Sequence, residues 1–201
     1  GSLTLALGKL GYEMIGADAS NDMLSVAMQK AAESPTRPLF LCQPMEELNL
    51  YGTIGATACM LDSLNHLPDE AALDRVIGRV SLFTEPGGLF FFDVNTAFKH
   101  RAVLGDSVFV YELETVYCVW QNNYTPEQDR VEISLDFFEV QEDGSYLRES
   151  ERFSEIVFPP KMLKNILEKS GFRILEILDG DTGEELSEES QRLLCVSRKE
   201  G

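Results

Sequence analysis

The chain has 201 residues, with 34 acidic against 17 basic side chains and a formal net charge of −17. This length suits one domain, or at most two, with a core large enough to be stable without cross-links. The negative charge repels phosphate backbones, so we do not expect a nucleic-acid substrate. No apolar run is long enough to span a bilayer and no signal peptide is visible, so we expect no membrane partner.

The four cysteines are widely spaced and lie in or next to apolar runs: Cys42, Cys59, Cys118 and Cys195. This spacing predicts buried free thiols in a reducing compartment, rather than a disulfide framework or a metal site. We therefore predict a cytoplasmic protein and no bound metal.

Helices and short apolar strands alternate over the first half of the chain. Apolar spacing predicts helices that begin near Ser2, at Ser20 and after Pro68. Between them lie four strand-like runs: Glu13–Ala17, Leu39–Cys42, Ile54–Leu61 and Leu89–Phe92. A turn is predicted at Glu85–Gly88. The alternation is typical of a doubly wound parallel sheet.

The pattern changes between Phe109 and Phe158, where aromatic and β-branched residues alternate with polar ones. It predicts about three antiparallel strands, with a hairpin turn at Asp143-Gly144. A helix then begins at Pro159-Pro160. The last two strands, Arg173–Leu178 and Arg192–Arg198, are joined by a loop without a helix, so they must pair antiparallel.

Asp18 ends the first predicted strand, directly before a helix. A carboxylate in this position is how open α/β sheets bind a ribose, because it accepts two hydrogen bonds from the hydroxyls. Asp18 could instead cap the helix that follows. Since Gln43, Asp62 and Asn95 also follow strands of the same sheet, we favour ribose binding and expect these residues to converge.

This order of elements, with its terminal hairpin, resembles the class I S-adenosylmethionine-dependent methyltransferases of the small-molecule type that carry an antiparallel insertion after the fifth strand. The resemblance covers essentially the whole chain. It implies an α/β fold with a Rossmann-like doubly wound sheet and an antiparallel terminal strand, plus the inserted antiparallel sheet. Residues 1–98 and 159–201 would form the cofactor-binding domain, and residues 99–158 a substrate cap or dimerisation element. A homodimer is therefore possible.

The resemblance also implies S-adenosylmethionine as cofactor and a small molecule as methyl acceptor. Gly1 resembles the end of the family's Gly-x-Gly turn, and Asp18-Ala19 matches its ribose-binding acid. Gln43-Pro44-Met45 would lie near the adenine. Relatives often have Asp in place of Pro44, which can supply neither a carboxylate nor an N–H. The run Leu61-Asp62, followed by His66, resembles a fourth motif, with backbone near Leu61 facing the amino-acid end of the donor.

The sequence leaves two possible roles open for each of three side chains. Asp62 could contact the ammonium of the donor or cap the next helix. His66 stands where relatives commonly have Tyr, and could accept a proton from the acceptor or serve as a structural hydrogen-bonding group. His100 could meet an anionic acceptor or lie solvated on the surface.

In the family, the strand before Gly1 lies between the strands Glu13–Ala17 and Ile54–Leu61. We therefore expect the protein to be longer by a strand and a helix, about 30 residues, and these two strands not to pair directly.

Two other functions remain open from the sequence. A nicotinamide-dependent oxidoreductase also places an acid after its second strand. A non-catalytic Rossmann-like interaction module would need no donor at all.

Overall fold

The computed structural model describes all 201 residues and contains four α-helices and ten β-strands. The helices are α1 (Ser2–Lys9), α2 (Asn21–Ala32), α3 (Glu70–Phe83) and α4 (Pro160–Lys169). The strands are β1 (Ile15–Asp18), β2 (Leu39–Cys42), β3 (Ile54–Cys59), β4 (Thr84–Asn95), β5 (Val108–Glu112), β6 (Val116–Thr125), β7 (Arg130–Val140), β8 (Tyr146–Ile156), β9 (Phe172–Asp179) and β10 (Arg192–Lys199).

The strands form three sheets. Strands β1 and β2 pair in parallel, and a second sheet has the order β3-β4-β10-β9. Strands β3 and β4 are parallel, whereas β10 is antiparallel to both β4 and β9. The predicted antiparallel terminal strand is therefore confirmed. Strands β1 and β3 do not pair with each other.

Two side-chain caps explain where the helices begin. The Ser20 hydroxyl accepts a hydrogen bond from the Met23 backbone N–H at 3.2 Å, and the Asp69 carboxylate accepts one from the Ala72 N–H at 2.8 Å. Each bond satisfies a donor that the first helical turn leaves without a partner. The helix starts expected at these residues are confirmed.

The predicted boundaries of β3 and β4 are wrong in detail. Strand β3 ends at Cys59 because Leu61 and Asp62 adopt left-handed backbone conformations, with φ of 59° and 52°. Strand β4 begins at Thr84, so the turn expected at Glu85–Gly88 lies inside it. That segment is a bulge, because the pairing jumps from Ile54 with Thr84 to Ala56 with Leu89.

The inserted sheet has four strands, in the order β5-β6-β7-β8, rather than the three expected. The missed strand, β5, follows a π-helical turn at Lys99–Leu104 that the apolar pattern did not reveal. The turn between β7 and β8 is confirmed, with Gly144 at φ 81°. A left-handed φ of this kind is easy only for glycine.

The main core lies between the β3-β4-β10-β9 sheet and the helices α3 and α4. It includes Leu73, Val76 and Ile77 of α3, Phe90 and Phe92 of β4, Leu163 and Leu167 of α4, Phe172 of β9 and Leu193 of β10. A smaller cluster under the inserted sheet contains Leu104, Val131 and Ile133. Ile156, at the end of β8, belongs to the main core, so the inserted sheet is anchored there.

The environments of the cysteines differ from one another. Cys118 and Cys195 are buried and Cys59 is half-buried, but Cys42 is exposed, so its predicted burial is wrong. The reason is position: Cys42 is the last residue of β2 and faces the loop, with its thiol 3.6 Å from the carbonyl oxygen of Ala19.

No helix combines the length and apolar content needed to cross a bilayer.

Candidate active site

Asp18 is half-buried at the C-terminal end of β1. Its Oδ1 accepts a hydrogen bond from the backbone N–H of Ser20 at 2.9 Å, which closes a tight turn. The N-cap of α2 is Ser20, not Asp18, so the capping interpretation of Asp18 is wrong. The carboxylate therefore orders the turn with Oδ1, and its second oxygen makes no hydrogen bond within the chain.

The loop after β2 uses the side chain of Gln43 internally. Its amide accepts from the Asn49 N–H at 2.8 Å and donates to the Asn49 carbonyl at 3.3 Å. Met45 packs against the main core, and Pro44 is exposed. The side chains of Gln43 and Met45 therefore make contacts within the protein, and the predicted adenine contact of this segment stays a prediction that would rest on its backbone groups and Pro44.

Gly1 lies against α2 at the start of α1. A Cβ added to Gly1 would lie 2.5 Å from the Cβ of Ala27, which no packing tolerates. The Gly1 carbonyl also accepts the hydrogen bond from the Leu5 N–H at 3.0 Å. The close approach of the two helices therefore requires glycine at this position.

The turn after β3 is held by a buried carboxylate. Asp93, on β4, is only 4% exposed and accepts hydrogen bonds from the backbone N–H groups of Leu61, at 3.1 Å, and Asp62, at 2.6 Å. Two consecutive non-glycine residues in the left-handed region store strain, which persists only where the surroundings impose it. Here the Asp93 carboxylate imposes it.

Arg192 joins this turn to β10. Its guanidinium lies 2.9 Å from Oδ1 of Asp62 and 3.0 Å from Oδ1 of Asp93. Burial opposes the charged form of Arg192, but Asp93 and Asp62 outweigh it and raise the pKa of the guanidinium. Asp62 makes no side-chain capping bond, so its capping interpretation is wrong. Its carboxylate is paired with an arginine that the sequence did not single out.

Cys59 is no candidate nucleophile. Burial, followed by the negative charge of Asp93, raises the pKa of its thiol to about 12. The reactive form of cysteine is the thiolate. At neutral pH this residue is therefore an unreactive thiol.

Glu155, on β8, is a buried acid that sequence reasoning missed. Its Oε2 accepts a hydrogen bond from Nδ2 of Asn95 at 2.8 Å and lies 3.1 Å from Nε2 of His100. Burial raises the pKa of this carboxyl group, but its contacts with His100 and Asn95 outweigh burial and lower it. The only signal for Glu155 in the sequence was an acidic residue near the C-terminal end of a predicted strand.

His100 is fully buried, so its predicted alternatives, a solvated surface residue or an acceptor-binding group, are both wrong. It lies in the π-helical turn that carries the chain from β4 into the inserted sheet. Asn65 strengthens the same junction: its side chain donates to the carbonyls of Asn95, at 3.2 Å, and Ile156, at 2.8 Å. The inserted sheet is thus fastened to β4 by a buried polar network.

His66 has an exposed side chain, and its ring meets that of Phe153 edge-on at 5.3 Å between centroids. Possible ligand atoms of Asp62, His66 and Glu155 all lie within 4.8 Å of one another. Of the four residues expected to converge, Asp62 and Asn95 are connected here only through Glu155, which accepts a hydrogen bond from Asn95, and the convergence of all four stays a prediction. No hydrogen bond or ion pair links Asp18 or Gln43 to this group.

Comparison with known proteins identifies the family of this chain. No family model matches the chain. A curated "putative methyltransferase" of Geobacillus sp. (strain WCH70) is 30% identical over 199 residues, which is 99% of this chain and 81% of that protein. The chain belongs to the class I S-adenosylmethionine-dependent methyltransferases. The enzyme class, the cofactor and the resemblance seen in the sequence are thereby confirmed.

Solved structures agree with the family. An S-adenosylmethionine-dependent methyltransferase from Clostridium acetobutylicum ATCC 824 is 26% identical, with a TM-score of 0.86, covering 94% of this chain and 76% of that one. The S-adenosylmethionine-bound amino pentose methyltransferase CalS10 from Micromonospora echinaspora shares the fold at 17% identity, with a TM-score of 0.69, covering 93% and 74%. The Rossmann-like fold class is confirmed, and neither the oxidoreductase nor the non-catalytic alternative is supported.

The residues present fit this cofactor. Asp18 offers a carboxylate oxygen at the strand end where a ribose binds in open α/β sheets. Gly1 is packed against Ala27 of α2, so the structure gives it a role in helix packing, and its contact with the donor stays a prediction. The backbone from Cys59 to Leu61 lies at the C-terminal end of β3, on the side of the strands where ligands of this fold bind.

Proposed function

We propose that this methyltransferase acts on a small-molecule acceptor, bound where the inserted sheet meets the C-terminal ends of β3 and β4. One observation carries the proposal: the only exposed histidine lies at this junction beside two carboxylates, Asp62 and Glu155. Such grouped polar side chains beside aromatic surface are typical of small-molecule sites. The amino pentose named for the neighbour CalS10 supports an acceptor of this size.

We propose the following roles on the donor side. S-adenosylmethionine supplies a methyl group that is already activated for in-line displacement, so the protein mainly aligns the reactants and excludes water. Asp18 accepts hydrogen bonds from the ribose hydroxyls, with Ala19 beside it. The Gln43-Pro44-Met45 segment borders the adenine through backbone groups and Pro44. Leu61 and Asp62 border the amino-acid end.

His66 is proposed to act on the acceptor. Its exposed imidazole is held against Phe153 and faces the junction, so it can accept the proton of an acceptor hydroxyl or amine. The inserted sheet, residues 99–158, is proposed to cover the acceptor. The cytoplasmic location and the homodimer stay predictions.

The donor site is tested by Asp18→Asn. Asparagine retains an oxygen for the Ser20 turn but loses the charge that strengthens the ribose hydrogen bonds, each worth about 1.5–3 kcal/mol. We expect S-adenosylmethionine to bind about 10–100-fold more weakly in calorimetry, with an unchanged melting temperature. Asp22→Asn, exposed in the first turn of α2, is the matched control. Equal affinity in both variants would remove Asp18 from the site.

The acceptor class is tested by methyl transfer from labelled S-adenosylmethionine. A panel of hydroxylated and amino small molecules is compared with a peptide mixture and with RNA. We expect label only on small molecules, and loss of labelling in His66→Asn. Labelling of peptide or RNA instead would contradict the small-molecule proposal while leaving the methyltransferase activity standing.

A further inference from the structure

We propose that Asp62, His66 and Glu155 form a binding site for one divalent metal cation. One potential ligand atom of each residue lies within 4.8 Å of those of the other two. Asp62 and His66 lie four positions apart, at the two ends of one 3-10 turn, whereas Glu155 comes from the end of β8. Because Glu155 follows 93 positions after Asp62, no local spacing motif includes all three residues.

The distances suit a single ion. Three atoms that are all within 4.8 Å of one another lie no more than about 2.8 Å from a common centre, whereas ligand atoms lie about 2.0–2.6 Å from a divalent cation. Shifts of a few tenths of an ångström would therefore bring all three atoms to one ion. Two carboxylate oxygens and one imidazole nitrogen form an intermediate donor set, which suits Mn²⁺ and neighbouring divalent first-row metals.

Glu155 is already oriented for ligation. Both of its hydrogen-bonding contacts, with Asn95 and His100, go to Oε2. Its other oxygen, Oε1, makes no hydrogen bond and is left for a ligand. Ligating carboxylates in metal sites are held by outer hydrogen bonds in just this manner.

Asp62 is oriented by the strained turn. Its φ of 52° is maintained by Asp93, and Arg192 meets it through Oδ1, which leaves Oδ2. The surroundings also contain Lys99, whose ammonium donates to Oδ1 of Asn95. Arg192 is shared by Asp62 and Asp93, so one guanidinium serves two carboxylates.

The catalytic meaning of this site rests on the proposed function, but cation binding does not. A divalent cation lowers the pKa of an oxygen that it contacts, so an acceptor hydroxyl would lose its proton more readily there. His66 would then be a ligand, and water would receive the acceptor proton. Without the cation, the imidazole of His66 itself must accept the proton of the acceptor.

The experiment titrates the protein with Mn²⁺ alone and measures the concentration of free Mn²⁺ by electron paramagnetic resonance. The salt concentration is about 0.15 M, because salt at this level screens weak binding to surface charges. We expect one saturable site and at least about tenfold weaker binding in His66→Asn. Glu142→Gln is the control, because it removes one charge at the β7–β8 turn, at the far end of β8 from Glu155. Equal Mn²⁺ affinity in wild type and His66→Asn, or no saturable site, overturns the proposal.

A second variant tests whether a loss of Mn²⁺ binding results from misfolding. Glu155→Gln, checked by circular dichroism, should also lose at least about tenfold in Mn²⁺ affinity. S-adenosylmethionine binding is measured in the same samples. Donor binding without Mn²⁺ binding rejects the metal site alone, whereas Mn²⁺ binding without donor binding rejects only the proposed function. Methyl transfer that is unaffected by a chelator but lost in His66→Asn assigns the proton to the imidazole and overturns the role of the cation.

Discussion

Single residues in this protein show how a buried charge is made tolerable. Glu155 is only 4% exposed, and an isolated carboxylate at such a position would become neutral. The Asn95 amide and the His100 ring reverse that tendency by favouring the ionised form. The same contacts fix the rotamer of the side chain. Glu155 therefore both connects the inserted sheet to Asn95 and His100 and is a candidate ligand.

Replacement of Glu155 by glutamine tests this balance. We expect the free energy of unfolding to fall by about 1–3 kcal/mol at neutral pH, because the charge-assisted hydrogen bonds weaken. Urea denaturation measures it. Glu151→Gln, an exposed position on the same strand, should change stability by less than about 0.5 kcal/mol.

The pH dependence of this effect has a definite sign. The folded-state pKa of Glu155 lies below the ordinary value of 4.5, so its stabilisation is present above about pH 4.5 and is lost as the pH falls through the folded-state pKa. We therefore expect the stability difference between wild type and Glu155→Gln to shrink under acid conditions. A difference that grows toward low pH would contradict the ionised state of Glu155.

At the scale of elements, β10 does more than complete the sheet. Between β4 and β9 it supplies core residues on one face, while Arg192 at its start pairs with Asp62 and Asp93. The turn after β3 therefore depends on a strand more than 100 positions later in the chain. This explains how two left-handed residues persist at the edge of the site.

Arg192→Met should destabilise the protein strongly. Methionine keeps much of the packing volume but leaves the Asp93 carboxylate buried without its positive partner, which costs about 3 kcal/mol in comparable pairs. Urea denaturation followed by the fluorescence of Trp120 measures the loss. Arg198→Met, exposed on the same strand, is the control. A loss no larger than that of the control would show that the ion pairs do not hold the turn.

At the scale of the whole molecule, the inserted sheet has two different faces. One face covers the small cluster around Val131 and Ile133. On the other face, Val108, Val110 and Tyr117 remain 57%, 51% and 39% exposed. Exposed apolar side chains that lie together on a sheet favour an interface. The sequence-based expectation of a homodimer therefore has a surface on which it can be tested.

Val110→Lys tests the homodimer. If this face is the interface, wild type elutes as a dimer in size-exclusion chromatography with light scattering, and Val110→Lys elutes as a monomer because its ammonium cannot be buried there. Glu149→Gln changes the net charge by the same amount on the opposite face and should leave the dimer intact. A monomeric wild type would contradict the prediction.

The sequence by itself determined most of the helices and strands, the helix starts at Ser20 and after Pro68, the terminal hairpin and the resemblance to the family, but not strand β5 or the π-helical turn before it. These follow from local spacing, capping chemistry and chain order, which are written in consecutive residues. Only the tertiary structure decided the partners of Asp62, the burial of His100 and the place of Glu155. Hydrogen bonds and ion pairs between residues 60–130 positions apart depend on strand register and packing, which no local pattern contains. The role proposed for Asp18 could be inferred from the sequence because it depends on one strand end, whereas the group around His66 required the whole fold.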